Sequence, residues 1–368
     1  MVPAARARTV RVSDPIRLAR PDVGDAELAA IGEVLESGQL TMGARVPVFE
    51  ELVARACGVS HAVAVSSGTA ALHLALLALG IGPADEVIVP AYTFPATANA
   101  VELCGATAVL VDVDPATFNT TPGHVAAALT RRTRAVLAVH LFGRPLDWDG
   151  LEAAAGGLAL IEDAAGALGA LSHGRACGSL GTMGCLSFHP RKVVTTGEGG
   201  AVTTDDEGYA DSVRRLRHHG IVQRGAFDIP EPGLNYRLSD VLCALGIPQL
   251  ERLEALLAAR ERVAASYTER LAGIVAVPEA AEGDRHGLQA YVIRVDRRDE
   301  VLAALREAGI EAQIGTYALH RLTAYRDQGP FPGADESFER ALALPFHTGL
   351  TDAELDRVAE TLARQLDG

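Results

Sequence analysis

Between residues 25 and 205 short apolar runs alternate with helical patterns. The runs 62–66, 87–90, 108–111, 135–140, 158–162, 185–188 and 201–204 read as strands; 70–79, 96–104, 124–129 and 149–154 read as helices. The strands are nearly continuous in apolar residues instead of alternating, and helices separate them. That pattern predicts a mainly parallel, seven-stranded sheet covered on both faces. Ligands of such sheets bind beyond the carboxyl ends of the strands, so the turns that follow these runs are where chemistry is to be sought.

After residue 235 the pattern changes. A long helical stretch, 238–271, contains Pro248, which predicts a kink or break there. Strand patterns at 289–295 and 311–314 follow, with helical patterns at 299–308, 336–343 and 352–365. The organisation expected is a mobile tail over 1–14, a large α/β domain over 15–240, a connecting helix over 241–270 and a smaller α+β domain over 271–368. A chain of 368 residues suits a large domain plus a smaller one.

Charge and cysteine content narrow the function classes. The formal net charge of -14 argues against nucleic acid or an anionic membrane as partner. No run reaches the roughly 18 apolar residues of a membrane helix. The basic N-terminus MVPAARARTVRV lacks the apolar stretch of a signal peptide. Cys57, Cys104, Cys177, Cys185 and Cys243 are odd in number and show no Cys-x-x-Cys spacing. They read as reduced thiols of a cytoplasmic protein, with neither a disulfide framework nor a zinc site expected.

Three segments could carry chemistry. Ser66-Ser67-Gly68-Thr69-Ala70 ends a strand and opens a helix. Free N–H groups and hydroxyls there could hold an anion; an ordinary N-capped helix is the alternative. Gly-x-Gly-x-x-Gly is absent, which disfavours a dinucleotide. Ile161-Glu162-Asp163-Ala164-Ala165 places an acid at the end of a buried strand. Such a carboxylate needs a partner. A pyridinium nitrogen is one, and capping of the next helix is the other use of Asp163. The third segment runs Ser187-Phe188-His189-Pro190-Arg191-Lys192 and continues to Gly200. Lys192 is the only lysine in the chain, every other one of the 33 basic residues being arginine. Lysine forms an imine with an aldehyde and arginine does not; chance survival in an arginine-biased chain is the alternative. Phe94, after the strand at 87–90, could cover a flat ring or simply pack in the core. His140 and His189 sit near strand ends without metal-ligand spacing.

Together the segments SSGTAALHLAL, PAYTFPATANAV, VHLFGRP, IEDAAGALGA, SFHPRKVVTTGEGGAVTT, GLNYRLSD and LALPFHTGLTDAELDRV resemble the DegT–DnrJ–StrS sugar aminotransferases, fold-type I pyridoxal-phosphate enzymes, over about residues 18–366. The resemblance implies that Lys192 holds pyridoxal 5'-phosphate (PLP) covalently and later shuttles protons. It implies that Asp163 pairs with the ring nitrogen and Phe94 stacks on the ring. Gly68, Thr69, Ala70 and Ser187 match positions around the cofactor phosphate. Asn235 matches a residue that reaches the phosphate from the neighbouring subunit of a homodimer. Two features depart from the family. Gly166 stands where Gln or His is usual, near the ring hydroxyl, and Gly315-Thr316-Tyr317-Ala318-Leu319-His320 replaces a segment that more often contains proline. His189, Tyr317 and His320 are substrate-side candidates, with packing of the smaller domain as the other reading of the last two.

The activity implied is transfer of an amino group from an amino acid, by resemblance glutamate, to a nucleotide-linked keto-deoxysugar. A keto-cyclitol or non-sugar keto substrate is the nearest alternative, and a non-catalytic PLP-binding sensor a more distant one. Dehydratases of the family carry His in place of the lysine, so Lys192 argues against that reaction.

Overall fold

The computed structural model describes residues 15–222 and 227–366; the expected tail over 1–14 lies outside them. The strands are β1 (His61–Val65), β2 (Glu86–Pro90), β3 (Tyr92–Thr93), β4 (Thr107–Val111), β5 (Thr133–Val139), β6 (Ala159–Asp163), β7 (Leu171–Ser172), β8 (Arg175–Ala176), β9 (Met183–Ser187), β10 (Gly200–Thr204), β11 (Tyr291–Arg294), β12 (Gln313–Ile314), β13 (Tyr317–Ala318) and β14 (Ala341–Leu344). The helices are α1 (Asp25–Ser37), α2 (Arg45–Cys57), α3 (Gly68–Ala78), α4 (Ala96–Leu103), α5 (Pro122–Ala128) and α6 (Trp148–Ala155), then α7 (Glu207–Leu216), α8 (Asp240–Glu251), α9 (Leu253–Leu271), α10 (Arg298–Glu307), α11 (Pro332–Arg340) and α12 (Asp352–Leu366).

The central sheet has seven strands in the order β1-β10-β9-β6-β5-β2-β4. Only β10 runs against its neighbours; the other pairs are parallel. The apolar runs are continuous because both faces are covered. In β1, Val63 and Val65 join one cluster with Leu72, Leu76 and Val101, while Ala62 and Ala64 join the other with Phe49, Val53 and Phe188. Helices α3, α4 and α7 cover the first face, and α2, α5, α6 and α8 the second. Each buried Val, Leu or Phe contributes about 1.5–3 kcal/mol.

The C-terminal part differs from expectation in two places. The long stretch is two helices, and the break falls at Arg252 (φ −107°, ψ 22°), four residues past Pro248. The turn around Pro248 stays helical, and the Gln249 side chain beside it is clamped. Its amide donates to the carbonyls of Thr195 and Leu245, and its oxygen accepts from Thr195 N–H. The helix expected over 336–343 ends at Arg340, and Ala341–Leu344 is instead the middle strand of an antiparallel sheet ordered β11-β14-β12. All four of its residues are buried. A short apolar run fits a helix or a central strand equally by periodicity, and pairing on both edges decides for the strand. A third apolar cluster joins this sheet to α9, α10 and α12. Finally β13 pairs with β3, which attaches residues 317–318 to the loop after β2.

Candidate active site

Asp163 is the last residue of β6 and is 7% exposed. Its Oδ2 accepts from Thr97 Oγ1 at 2.8 Å, and its Oδ1 accepts from Ala165 N–H at 3.2 Å. Thr93 Oγ1 lies 3.2 Å from Thr97 Oγ1. With Thr97 donating to the carboxylate, Thr93 can donate to Thr97, giving a buried chain of hydroxyls that ends on the acid. Burial pushes the Asp163 carboxyl up, and the Thr97 bond, the Ala165 N–H and the nearby Lys192 ammonium pull it down. A cation beside this carboxylate would hold it ionised against the burial.

Lys192 lies in the loop from β9 to β10. The loop is closed by Phe188 N–H to Gly199 O at 2.9 Å and Thr196 N–H to Phe188 O at 2.9 Å, and the Gln249 clamp grips it from α8. Lys192 N–H donates to His189 O at 2.8 Å, which turns the chain at this point. The Lys192 amine makes no hydrogen bond among the described residues. Burial lowers its pKa from the usual lysine value; Asp163 opposes the shift and Arg191 adds to it. A lysine shifted in this direction has more of the free amine that attacks an aldehyde.

The phosphate segment is built at the start of α3. Ser67 caps the helix, its Oγ accepting from Ala70 N–H at 3.1 Å. The N–H groups of Gly68 and Thr69 have no acceptor among the described residues, and they point out of the positive end of the helix. A Cβ on Gly68 would stand 2.8 Å from Ser187 Cβ. Glycine is therefore required for the helix start to meet the end of β9. These features match three parts of PLP: Asp163 the ring nitrogen, Lys192 the aldehyde, and Gly68, Thr69 and Ser187 the phosphate; the N–H of Ala70, also expected there, is taken by Ser67 Oγ. The residues present fit the group.

The other candidates fall in different places. Phe94 is 61% exposed at the strand-end side, not packed in the core, with its ring 6.3 Å from that of Tyr317. Tyr317 is 39% exposed and is brought there by the β3–β13 pairing. His189 is exposed, and its Nδ1 accepts from Arg191 N–H at 3.3 Å. His320 is turned toward α11, where its Nε2 meets Asp335 at 3.0 Å and its ring packs edge-on against Phe331. No hydrogen bond among the described residues joins His320 to Lys192 or Asp163. Asn235 is exposed. Its neighbours run alongside the end of β1: Tyr236 O accepts from Ser66 N–H at 2.8 Å, and Arg237 bridges Val65.

Beside the site stands a buried polar post. Glu162 accepts from Gly178, Leu180 and Gly181 N–H at 2.6, 2.7 and 2.9 Å, and from His140 Nε2 at 3.0 Å. His140 Nδ1 accepts from Leu146 N–H at 3.2 Å. His140, Glu162 and Cys177 do place their ligand atoms within 4.8 Å of one another, but these hydrogen bonds already occupy the carboxylate and both ring nitrogens. Their work is to fix the end of β6.

Sequence reasoning missed Thr97, Gln249 and Gln289. Gln289 is half-buried, and its Cγ stands 3.3 Å from where a Cβ on Gly166 would be. The only hint of Thr97 was its spacing, a hydroxyl four residues after Thr93 on what becomes the first turn of α4. Nothing local pointed to the two glutamines.

Sheet, strand-end acid, loop lysine and helix-start anion cradle define a PLP-dependent transferase. Residues 21–363 match the model of the DegT/DnrJ/EryC1/StrS aminotransferase family, and the chain belongs to that family. A GDP-perosamine synthase of Caulobacter vibrioides is 40% identical over 364 residues, covering 95% of this chain and 98% of that protein. Among solved structures, the aminotransferase TlmJ from Streptoalloteichus hindustanus superposes with a TM-score of 0.92 at 35% identity, over 96% of this chain and 99% of its own. Spr1654 from Streptococcus pneumoniae in its PLP form gives a TM-score of 0.91 at 30% identity, over 96% and 99%. The chain is a PLP-dependent aminotransferase.

Proposed function

We propose that the enzyme moves an amino group from an amino acid, glutamate by preference, to the keto group of a nucleotide-linked keto-deoxysugar. The observation that carries the chemistry is the pairing of a hydrogen-bond-free Lys192 amine with a buried Asp163 carboxylate at one set of strand ends. The sugar assignment is supported by the 40% identity to a GDP-perosamine synthase. When bound, PLP supplies an electron sink. Asp163 keeps a positive charge on the ring nitrogen, which strengthens that sink. Lys192 would hold the cofactor through its Nζ, and that amine, once free, would carry the proton to and from the donor carbon. Gly68, Thr69 and Ser187 anchor the phosphate, and the exposed Phe94 covers the ring. Tyr317, beside Phe94, and His189, in the lysine loop, face the acceptor.

The functional unit in this reading is a homodimer, and the compartment is the cytoplasm. Leu28 and Leu35, seven residues apart on one face of α1, are 71% and 59% exposed, an apolar stripe suited to a second copy. The chain divides, in the same reading, into domains 15–240 and 271–368 joined through 241–270. No helix among the described residues is long and apolar enough to cross a membrane.

The test is a panel of keto-sugar nucleotides and keto-cyclitols with glutamate or glutamine as donor, read by mass spectrometry. Amination of a keto-sugar nucleotide is expected. Turnover confined to cyclitols would replace the acceptor assignment, and absence of any turnover by PLP-loaded protein would favour a sensor.

A further inference from the structure

The site has an edge that the residues assigned so far leave open. PLP carries its aldehyde opposite the ring nitrogen. One edge between them bears the phosphate arm; the other bears a hydroxyl next to the aldehyde. The phosphate cradle, Gly68 and Ser187, lies toward β9 and β1. Gly166 lies on the opposite side of β6, toward β5, where a Cβ on Gly143 would stand 2.8 Å from Gly166 O. A ring held by Asp163 and Lys192 with its phosphate in that cradle would turn its hydroxyl edge to this side, where Gly166 offers no side chain.

Gln289 fills the space. Its Cγ, Cβ and Oε1 stand 3.3, 3.4 and 3.5 Å from where a Cβ on Gly166 would be. Its Nε2 donates to Arg191 O at 3.4 Å, one residue before Lys192. This bond is long and weak, and it uses one of the two Nε2 hydrogens. The backbone beneath the amide is fixed. Gln289 N–H donates to Phe142 O at 3.1 Å, and Gly287 N–H to Gly143 O at 2.8 Å. The buried Arg260 grips Leu288 O at 2.7 Å and Gln289 O at 2.8 Å. Leu288 takes φ 47°, a left-handed conformation uncommon for leucine, which these bonds hold. A side chain on so fixed a base is pre-organised for a ligand.

We infer that Gln289 serves as the hydroxyl-edge ligand of the cofactor in this chain, its amide donating to the ring oxygen beside the carbon held by Lys192 while it steadies the lysine loop through Arg191. The role missing at Gly166 is thus met by a residue from another segment. Gly166 and Gln289 compete for one volume, so only one of them can bear the long amide. Gly166 has no positive φ, so a side chain is conformationally allowed there once Gln289 is shortened.

This inference rests on Lys192 and Asp163 marking the two ends of the ring. The experiment therefore begins with borohydride fixation of PLP on the wild-type protein: label absent from the Lys192 peptide overturns that reading, and the assignment of Gln289 with it. Given label on Lys192, wild type, Gln289→Ala, Gln289→Met, Gly166→Gln and Gly166→Gln/Gln289→Ala are compared, with far-ultraviolet circular dichroism to confirm folding. The readouts are the PLP dissociation constant and the pH midpoint of the bound cofactor's visible absorbance. Gln289→Met keeps the bulk and removes the amide, so it is expected to shift the midpoint as Gln289→Ala does and to weaken PLP binding about tenfold, ~1.4 kcal/mol. The double variant is expected to recover both values toward wild type. A Met variant with wild-type midpoint and affinity would reduce Gln289 to packing. A double variant no better than Gln289→Ala would show that the two positions do not share one role. Either result overturns the assignment.

Discussion

Lys192 and Asp163 are each pushed toward neutrality by burial, and each is pulled back by the other. Lys192, the only lysine, should carry all the cofactor fixed by borohydride; label on any other peptide, or turnover by Lys192→Ala, refutes the mechanism. Because burial lowers the Lys192 pKa, covalent loading of cofactor-free protein should reach half its maximal rate below pH about 10.4, the ordinary lysine value. Asp163 raises the Lys192 pKa, so Asp163→Asn should move that midpoint to still lower pH; stopped-flow absorbance across pH measures both. The same variant should lose at least about a hundredfold in transamination, ~2.7 kcal/mol. Thr97→Val removes a bond that holds the Asp163 pKa down. Asp163 should then take up its proton at higher pH, so the acidic limb of the rate profile should shift upward. The lysine was legible because it is the only one in the chain, and Asp163 because it ends an apolar strand. Thr97 was not, since its partner is 66 residues away and only the fold brings the first turn of α4 to the end of β6.

At the scale of elements, α3 starts at a glycine because β9 ends against it. Gly68→Ala would set its Cβ 2.8 Å from Ser187 Cβ, and that atom is not the free end of a flexible chain. Either the helix start or the end of β9 must move, and the N–H groups of Gly68 and Thr69 move with it. PLP affinity should fall at least tenfold, measured by equilibrium dialysis, with the far-ultraviolet circular dichroism spectrum unchanged; unaltered affinity would mean the phosphate is held elsewhere. The seven central strands were legible because a parallel sheet buries both faces and leaves long apolar runs. β14 was not, since Ala341-Leu342-Ala343-Leu344 continues the pattern of α11 and is made a strand by partners about 30 and 50 residues upstream. The Gln249 clamp was hidden for a similar reason: it reaches 54 residues back to Thr195, a contact no short window of sequence contains.

At the scale of the whole molecule, the proposed homodimer sets which chain would supply Asn235 to each site. Within one chain the segment after Asn235 lies along the end of β1, through Tyr236 O to Ser66 N–H and the Arg237–Val65 bridge. Asn235 itself is exposed, and its side chain makes no hydrogen bond among the described residues. That geometry permits a short reach to its own phosphate segment as well as the reach into a partner expected from the family resemblance. Subunit mixing separates the two. Lys192→Ala removes the amine, and Asn235→Asp sets a negative charge beside the phosphate, so each pure dimer should be inactive. If Asn235 acts across a two-fold interface, a mixed dimer holds one site with Lys192 from one chain and Asn235 from the other, both intact. The second site then carries both defects. With random exchange at equal amounts half the dimers are mixed, and about a quarter of the wild-type activity should return, as two-fold symmetry requires. If Asn235 serves its own chain, every site in every dimer keeps one defect and mixing restores nothing. Mass spectrometry of intact dimers must show exchange before the rates are compared; proven exchange with no recovered turnover would rule out a shared site.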